Sequence, residues 1–397
     1  MSATTRQQQE ISYSLISQRV NQIPHSGIRK FFDLLASMEE VISLGVGEPD
    51  FATPWHISEA AIHSLEKGYT MYTSNLGMPE LRQELSSYLR DTHNLEYNPD
   101  NELLITVGVS EALDLVTRAI LDPGDEVIMP DPCYVSYSPC VVLAGGVAVT
   151  VPTGEENSFE ISAADIEARV TSKTKAILIG YPANPTGAVM PKEKLAQIAE
   201  VARRLGLLVI SDEIYAKLVY GVEHTCFATL PDIKERTILL GGFSKAYAMT
   251  GWRIGYAAAV PEIIAPMTKI HQYTIMSAPT MGQIAAIEAL RAGEDNAREM
   301  VEEYNRRRLL IVQGLNDIGL SCFEPKGAFY AFPSIKSTRM KSEDFAERLL
   351  VEEKVAVVPG TAFGKCGEGY VRCCYATSTT DIEEALIRIK RFVGRHR

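Results

Sequence analysis

Long hydrophobic runs are missing from this 397-residue chain. No stretch approaches the roughly 18 apolar residues of a membrane-spanning helix, so no such span is expected. The most apolar segment, Val141–Val151, is broken by Gly145-Gly146 and rich in valine, and reads as strands. The opening MSATTRQQQEISYS has no apolar core, so no secretory signal is expected. Positive charge is in deficit: 39 Lys and Arg stand against 50 Asp and Glu, a net charge of −11. Such a field suits neither nucleic acid nor an anionic membrane. It also repels small anions unless cations are gathered locally. The seven histidines form no H-E-x-x-H or similar cluster, so no metal is expected. The seven cysteines are odd in number and lack zinc-type paired spacing, and Cys373 and Cys374 are adjacent. They read as reduced thiols of a cytoplasmic protein.

What is present is an ordinary globular balance, 46% apolar and 22% charged, in a chain long enough for two domains. No repeat or low-complexity tract is visible. Through the middle, short apolar runs alternate with helical patterns: Leu103–Val107, then Ser110–Leu121; Glu126–Met129; Val147–Val151; Lys175–Gly180, then Pro191–Leu205; Leu207–Ile210; Thr237–Leu240. This alternation predicts an α/β fold with a largely parallel sheet covered on both faces. The end of the chain differs. A long amphipathic helix, Asp295–Leu315, precedes strand-like runs at Ala328–Phe332, Val355–Val358 and Tyr370–Tyr375, with helices at Ser342–Glu352 and Thr380–Val393. That predicts a second, α+β domain, onto which the residues before about Asp50 fold.

In open α/β sheets, ligands bind beyond the carboxyl ends of the strands. Five runs end in polar residues: Gly108-Val109-Ser110, Asp131-Pro132-Cys133-Tyr134, Tyr181 to Gly187 with Asn184, Ser211-Asp212-Glu213-Ile214-Tyr215, and Gly241-Gly242-Phe243-Ser244-Lys245. Together they predict one active-site rim. Val109 and Ser110 open a helix, a natural phosphate seat, although an N-cap serine at an ordinary turn reads the same way. The segment also nearly matches the G-x-S-x-G elbow of serine hydrolases, with Ala112 replacing the last glycine. Lys245, placed near Arg253, is a candidate Schiff-base amine or a solvated loop lysine. Asp212 follows a buried strand and needs a partner, a pyridinium N–H or a helix end. Arg372, within an apolar run, calls for an anion: a substrate carboxylate or a structural salt bridge.

Taken together, these residues resemble the pyridoxal phosphate (PLP) aminotransferases of the aspartate/aromatic type, a class I/II, fold-type-I family. The resemblance runs from about Ser26 to Phe392. It rests on Gly45-Val-Gly-Glu-Pro-Asp50, Tyr72 before Gly77-Met-Pro-Glu-Leu-Arg82, Asn184-Pro-Thr-Gly187, Ser211 to Tyr215, Ser244-Lys-Ala-Tyr-Ala-Met-Thr-Gly-Trp-Arg253, Gly327-Ala-Phe-Tyr330, and Val371-Arg372. It implies a large domain with a mainly parallel seven-stranded sheet (residues 51–294) and a small α+β domain (295–397) joined by an N-terminal arm (1–50). Lys245 would carry PLP as a Schiff base and move protons. Asp212 would keep the pyridine nitrogen protonated, and Tyr215 and Asn184 would bond the ring's phenolate oxygen. Tyr134 would stack on the ring. Val109, Ser110, Ser244 and Arg253 would hold the phosphate, with Tyr72 reaching across a homodimer. Arg372, helped by Asn184 and Gly47, would clamp the substrate α-carboxylate.

Two departures bear on specificity. Gly242 stands where many relatives place a phosphate-binding serine, so the phosphate either loses one hydroxyl donor or Ser244 compensates. Ser110 stands where some aspartate-using relatives have a lysine for the distal carboxylate. Ser26-Gly-Ile-Arg-Lys-Phe-Phe-Asp33 instead resembles the aromatic-preferring branch, with Ile28 expected near the substrate side chain. The expected activity is transfer of an amino group from an aromatic or a broad range of L-amino acids to a 2-oxo acid such as 2-oxoglutarate. Aspartate specificity, a PLP-dependent C–S lyase and the serine hydrolase are alternatives. A PLP-sensing transcription regulator would need a basic DNA-binding segment, and none precedes the motifs.

Overall fold

The computed structural model describes residues 15–23 and 40–396. The Ser26–Asp33 segment and Ile28, read as specificity elements, lie outside the described residues. Seven strands form the main sheet: β2 (Leu103–Thr106), β3 (Glu126–Asp131), β4 (Val147–Pro152), β5 (Thr174–Ile179), β6 (Leu208–Asp212), β7 (Thr237–Gly242) and β8 (Gly255–Ala258). Their order is β2-β8-β7-β6-β5-β3-β4. All neighbours pair parallel except β8, which runs antiparallel to β2 and β7.

The continuous apolar runs follow from burial on both faces. Along β3, Val127 and Met129 enter one cluster with Leu113, Val116 and Met267, while Ile128 enters another with Ile198 and Ala202. The first cluster lies under the helices Gly108–Ile120 and Pro261–Thr274, the second under Lys192–Leu205. Parallel strands need a crossover, and that explains one correction. Val141 does not start a strand. It lies in a short helix, Tyr137–Leu143, between β3 and β4. Gly145, at φ +94°, turns the chain into β4. The expectation of strands over the whole of Val141–Val151 therefore holds only from Val147.

β1 (Ile42–Ser43) pairs parallel with β10 (Val355–Ala356), so a segment before Asp50 lies beside the C-terminal part of the chain. β9 (Tyr330–Ala331), β11 (Val358–Pro359) and β12 (Val371–Cys374) form a small antiparallel sheet, β11-β12-β9. The single run expected at Val355–Val358 is thus divided between two sheets at Val357. The helices Glu294–Ile318 and Thr379–Arg395 pack against each other beside them. Among the described residues, no helix is long and apolar enough to cross a membrane.

Candidate active site

The carboxyl ends of β2, β3, β5, β6 and β7 open onto one cavity of about 440 Å³. Gly47, Val109, Ser110, Tyr134, Asn184, Asp212, Tyr215, Ser244, Lys245, Arg253 and Arg372 all line it. These residues span more than three hundred positions of sequence, and the sheet topology brings them together. Among the described residues expected at the site, Tyr72 lies elsewhere. It is 80% exposed, beside Tyr69 and Met71 on a separate surface.

Lys245 is held just past β7, its Nζ donating to the Gly47 carbonyl at 2.7 Å. Burial pulls its pKa down to about 8, and the Arg372 and Arg253 cations add to the effect against the opposing pull of Cys374 and Glu48. Asp212 ends β6 and is buried. Burial pushes its carboxyl up to about 6, although the Tyr137 hydroxyl donates to Oδ2 at 2.9 Å and the Ile214 N–H to Oδ1 at 3.2 Å. A buried carboxylate with so little compensation suits a cationic N–H arriving from the cavity.

The Gly108–Ile120 helix begins at this rim, and its first-turn N–H groups have no intrahelical acceptor. Gly108 has φ +72°, and a Cβ there would come within 2.5 Å of the Arg253 guanidinium. A Cβ on Gly255 would lie 2.5 Å from the Gly108 carbonyl carbon and the Val109 nitrogen. Two glycines therefore let β8 and Arg253 close on the helix start, leaving a cationic, N–H-lined cradle that fits a phosphate. Arg253 is steadied by the Thr250 carbonyl at 3.0 Å. Gly242 does not line the cavity, whereas Ser244 does.

Across the cavity, Arg372 donates to Asn184 Oδ1 at 2.9 Å and to the Gly45 carbonyl at 2.6 Å. Its guanidinium lies between the Tyr330 and Phe363 rings, 4.4 and 4.8 Å from their centroids. Its buried Nε finds no partner among the described residues. A buried guanidinium with an unused donor and no carboxylate beside it fits a carboxylate ligand. The structural salt bridge, the other reading of Arg372, is absent among the described residues.

Three side chains of the site escape sequence reasoning. Tyr137 bonds Asp212, Tyr330 bonds Tyr215 at 2.7 Å, and Glu48 adds a second carboxylate, accepting from the Thr250 hydroxyl at 3.3 Å. Tyr137 follows Tyr134 across one turn, its N–H donating to the Tyr134 carbonyl at 3.1 Å, and Tyr330 closes the Gly327–Tyr330 motif, so both had a signal. No His, Cys, Asp and Glu group that could hold a metal exists among the described residues.

Comparison with known proteins agrees with this chemistry. The profile of the aminotransferase class I and II family matches residues 39–389. YugH of Bacillus subtilis, which carries a provisional aminotransferase name, is 58% identical over 380 residues, 96% of this chain and 98% of that one. An aspartate aminotransferase of Pyrococcus abyssi is 47% identical, covering 95% and 97% of the two chains. The solved aromatic aminotransferase of Pyrococcus horikoshii superposes with a TM-score of 0.88 at 44% identity, covering 92% of this chain and 99% of that one. With the family profile running nearly end to end over a cavity of this composition, the chain belongs to the class I and II aminotransferases and is a fold-type-I, PLP-dependent enzyme.

Proposed function

We propose that this aminotransferase moves the amino group of an L-amino acid, aromatic or of broad range, to a 2-oxo acid such as 2-oxoglutarate. The observation that carries the assignment of roles is the meeting in one cavity of Lys245, Asp212, Arg253 and Arg372, with the lysine pKa lowered and the aspartate pKa raised. Bound PLP supplies an electron sink that makes the substrate Cα–H bond acidic. Lys245 Nζ takes and returns that proton. Asp212, held in place by the Tyr137 hydroxyl, would keep the pyridine nitrogen protonated. Tyr215 and Asn184 would hydrogen-bond the phenolate oxygen, and Tyr134 would stack on the ring. The N–H groups of Val109 and Ser110, the hydroxyls of Ser110 and Ser244, and Arg253 would hold the phosphate. Arg372, Asn184 and the Gly47 backbone take the α-carboxylate.

The aromatic preference has its support in the charges lining the cavity. Once Lys245, Arg253 and Arg372 have these tasks, this chain leaves no further Lys or Arg among the described lining residues for a distal carboxylate, and Ser110 and Glu48 stand there instead. Aspartate use is the second reading, because the Pyrococcus abyssi relative is named for it. We further propose a cytoplasmic homodimer with Tyr72 serving the neighbouring site, and the division into an arm (1–50), a PLP domain (51–294) and a small domain (295–397). All seven cysteines are free, in keeping with a reducing compartment.

The test is a half-reaction panel. The purified protein should be yellow, and Asp, Glu, Phe, Tyr, Trp, Ala, Leu and Lys are each added and the visible band followed. Phe and Tyr should bleach it faster than Asp. A protein that shows no visible band even with added PLP refutes the assignment. Pyruvate or ammonia formed without an oxo-acid acceptor would identify a lyase.

A further inference from the structure

Tyr330 is 1% exposed and joins three parts of the site that come from distant stretches of sequence. Its hydroxyl lies 2.7 Å from that of Tyr215, with the two rings edge to face at 5.8 Å. Its ring carries the Arg372 guanidinium at 4.4 Å. Its hydroxyl also sits against Gly47, where a Cβ would come within 2.4 Å, and the Gly47 carbonyl accepts from Lys245. β9, which bears Tyr330, pairs with β12, which bears Arg372, so the clamp and this tyrosine are fixed by one ladder. The titratable and charged groups acting most strongly on Tyr330 are Arg372, Cys374, Tyr215 and Tyr134, and Lys245 and Glu48 line the same cavity.

We propose that Tyr330 is a positioning residue that ties the carboxylate clamp to the cofactor's phenolate oxygen: its hydroxyl donates to Tyr215 while its ring supports Arg372. The proposal rests on the PLP reading given above. Either tyrosine can be the donor while no ligand is present. Once the Tyr215 proton points to the phenolate oxygen, the bond between the tyrosines leaves Tyr330 as its donor. A hydroxyl that accepts one hydrogen bond donates a stronger one, so Tyr330 sharpens the donation of Tyr215. A substrate carboxylate that pulls on Arg372 then acts through the Tyr330 ring on the same hydroxyl pair.

The experiment titrates the visible band of the holoenzyme against pH in wild type, Tyr330→Phe, Tyr215→Phe and the double variant. In parallel it measures the affinity for 3-phenylpropanoate, a carboxylate without an amino group. Tyr330→Phe keeps the ring and loses only the hydroxyl. Its midpoint should rise by about half to one pH unit, because the phenolate loses part of its stabilisation. Its 3-phenylpropanoate affinity should stay within about twofold. In the Tyr215→Phe background, adding Tyr330→Phe should move the midpoint no further. Tyr330→Leu should weaken 3-phenylpropanoate about five- to thirtyfold, since the cation–π contact goes with the ring. An unmoved midpoint in Tyr330→Phe, an equal shift without the Tyr215 hydroxyl, or failure of Tyr330→Phe to fold overturns the proposal. Absence of a visible band in wild type with added PLP refutes the PLP reading itself and is told apart by that.

Discussion

Lys245 and Asp212 show how burial prepares opposite groups for one reaction. The lysine pKa is pulled down to about 8, so its amine fraction grows as pH rises through that value. The rate at which cofactor-free protein captures PLP, followed by the visible band, should therefore climb with pH and level off above about 8. A rate independent of pH between 6 and 9 contradicts this. Asp212 behaves in the opposite sense. Its folded pKa of about 6 lies above its ordinary 3.8, so the folded protein holds a proton that the unfolded chain releases. The stability contributed by that proton is present below about pH 4 and lost as pH rises through 6. Asp212→Asn should therefore stabilise the cofactor-free protein at pH 8, by about 2–3 kcal/mol at most, in denaturant titrations, while activity collapses. Equal stability of the two proteins at pH 8 counts against a destabilised carboxylate. Each residue was readable as a candidate from its place after an apolar run. The sizes of the shifts were not, because they depend on how completely the small sheet and Gly47 cover the cavity.

At the scale of elements, the phosphate cradle depends on β8 running against the start of the Gly108–Ile120 helix. Gly255 is the contact point, with no room for a Cβ beside the Gly108 and Val109 backbone. Gly255→Ala should force β8 and the helix apart. The expected cost is about 1–3 kcal/mol of stability, with PLP affinity reduced tenfold or more by equilibrium dialysis. Unchanged affinity would mean that the close approach has nothing to do with the cofactor. β8 carries little sequence signal, since Gly-Tyr-Ala-Ala has weak strand preference. It becomes a strand because β2 and β7 both offer it their edges. The opposite error occurs at Val141, where a strand-like composition enters a helix because the parallel β3–β4 pair requires a crossover.

For the whole molecule, the acidic surplus and the anionic ligands are reconciled by placement. Arg253, Arg372 and Lys245 face one cavity, and their attraction acts within about a Debye length of 8–10 Å. The exposed side of the molecule raises a separate point. Tyr69, Met71 and Tyr72 lie next to Tyr273, Ile275 and Met276, all at least 44% exposed. Asn75 and Thr280 lock the two segments together through Met276 and Met71. An apolar surface of this kind calls for a protein partner, and the proposed homodimer supplies one. Sedimentation should show a dimer, and Tyr72→Phe should weaken PLP about tenfold through loss of a hydrogen bond to a charged group. A monomer of full activity refutes both.

Lys245, Asp212 and Asn184 were legible as candidates because five apolar runs end in polar residues, Arg372 because an arginine inside an apolar run needs an anion, and Arg253 through the family resemblance. The α/β class was legible too, because strands buried on both faces read as unbroken apolar runs between amphipathic helices. Only the tertiary structure decided which of these residues meet, and that Tyr137 and Tyr330 steady Asp212 and Tyr215. It also decided that Val355–Val358 is shared between two sheets. The physical reason is that composition and periodicity report how each segment meets its own surroundings. Contacts between segments hundreds of residues apart follow from strand order and packing, which no local pattern carries.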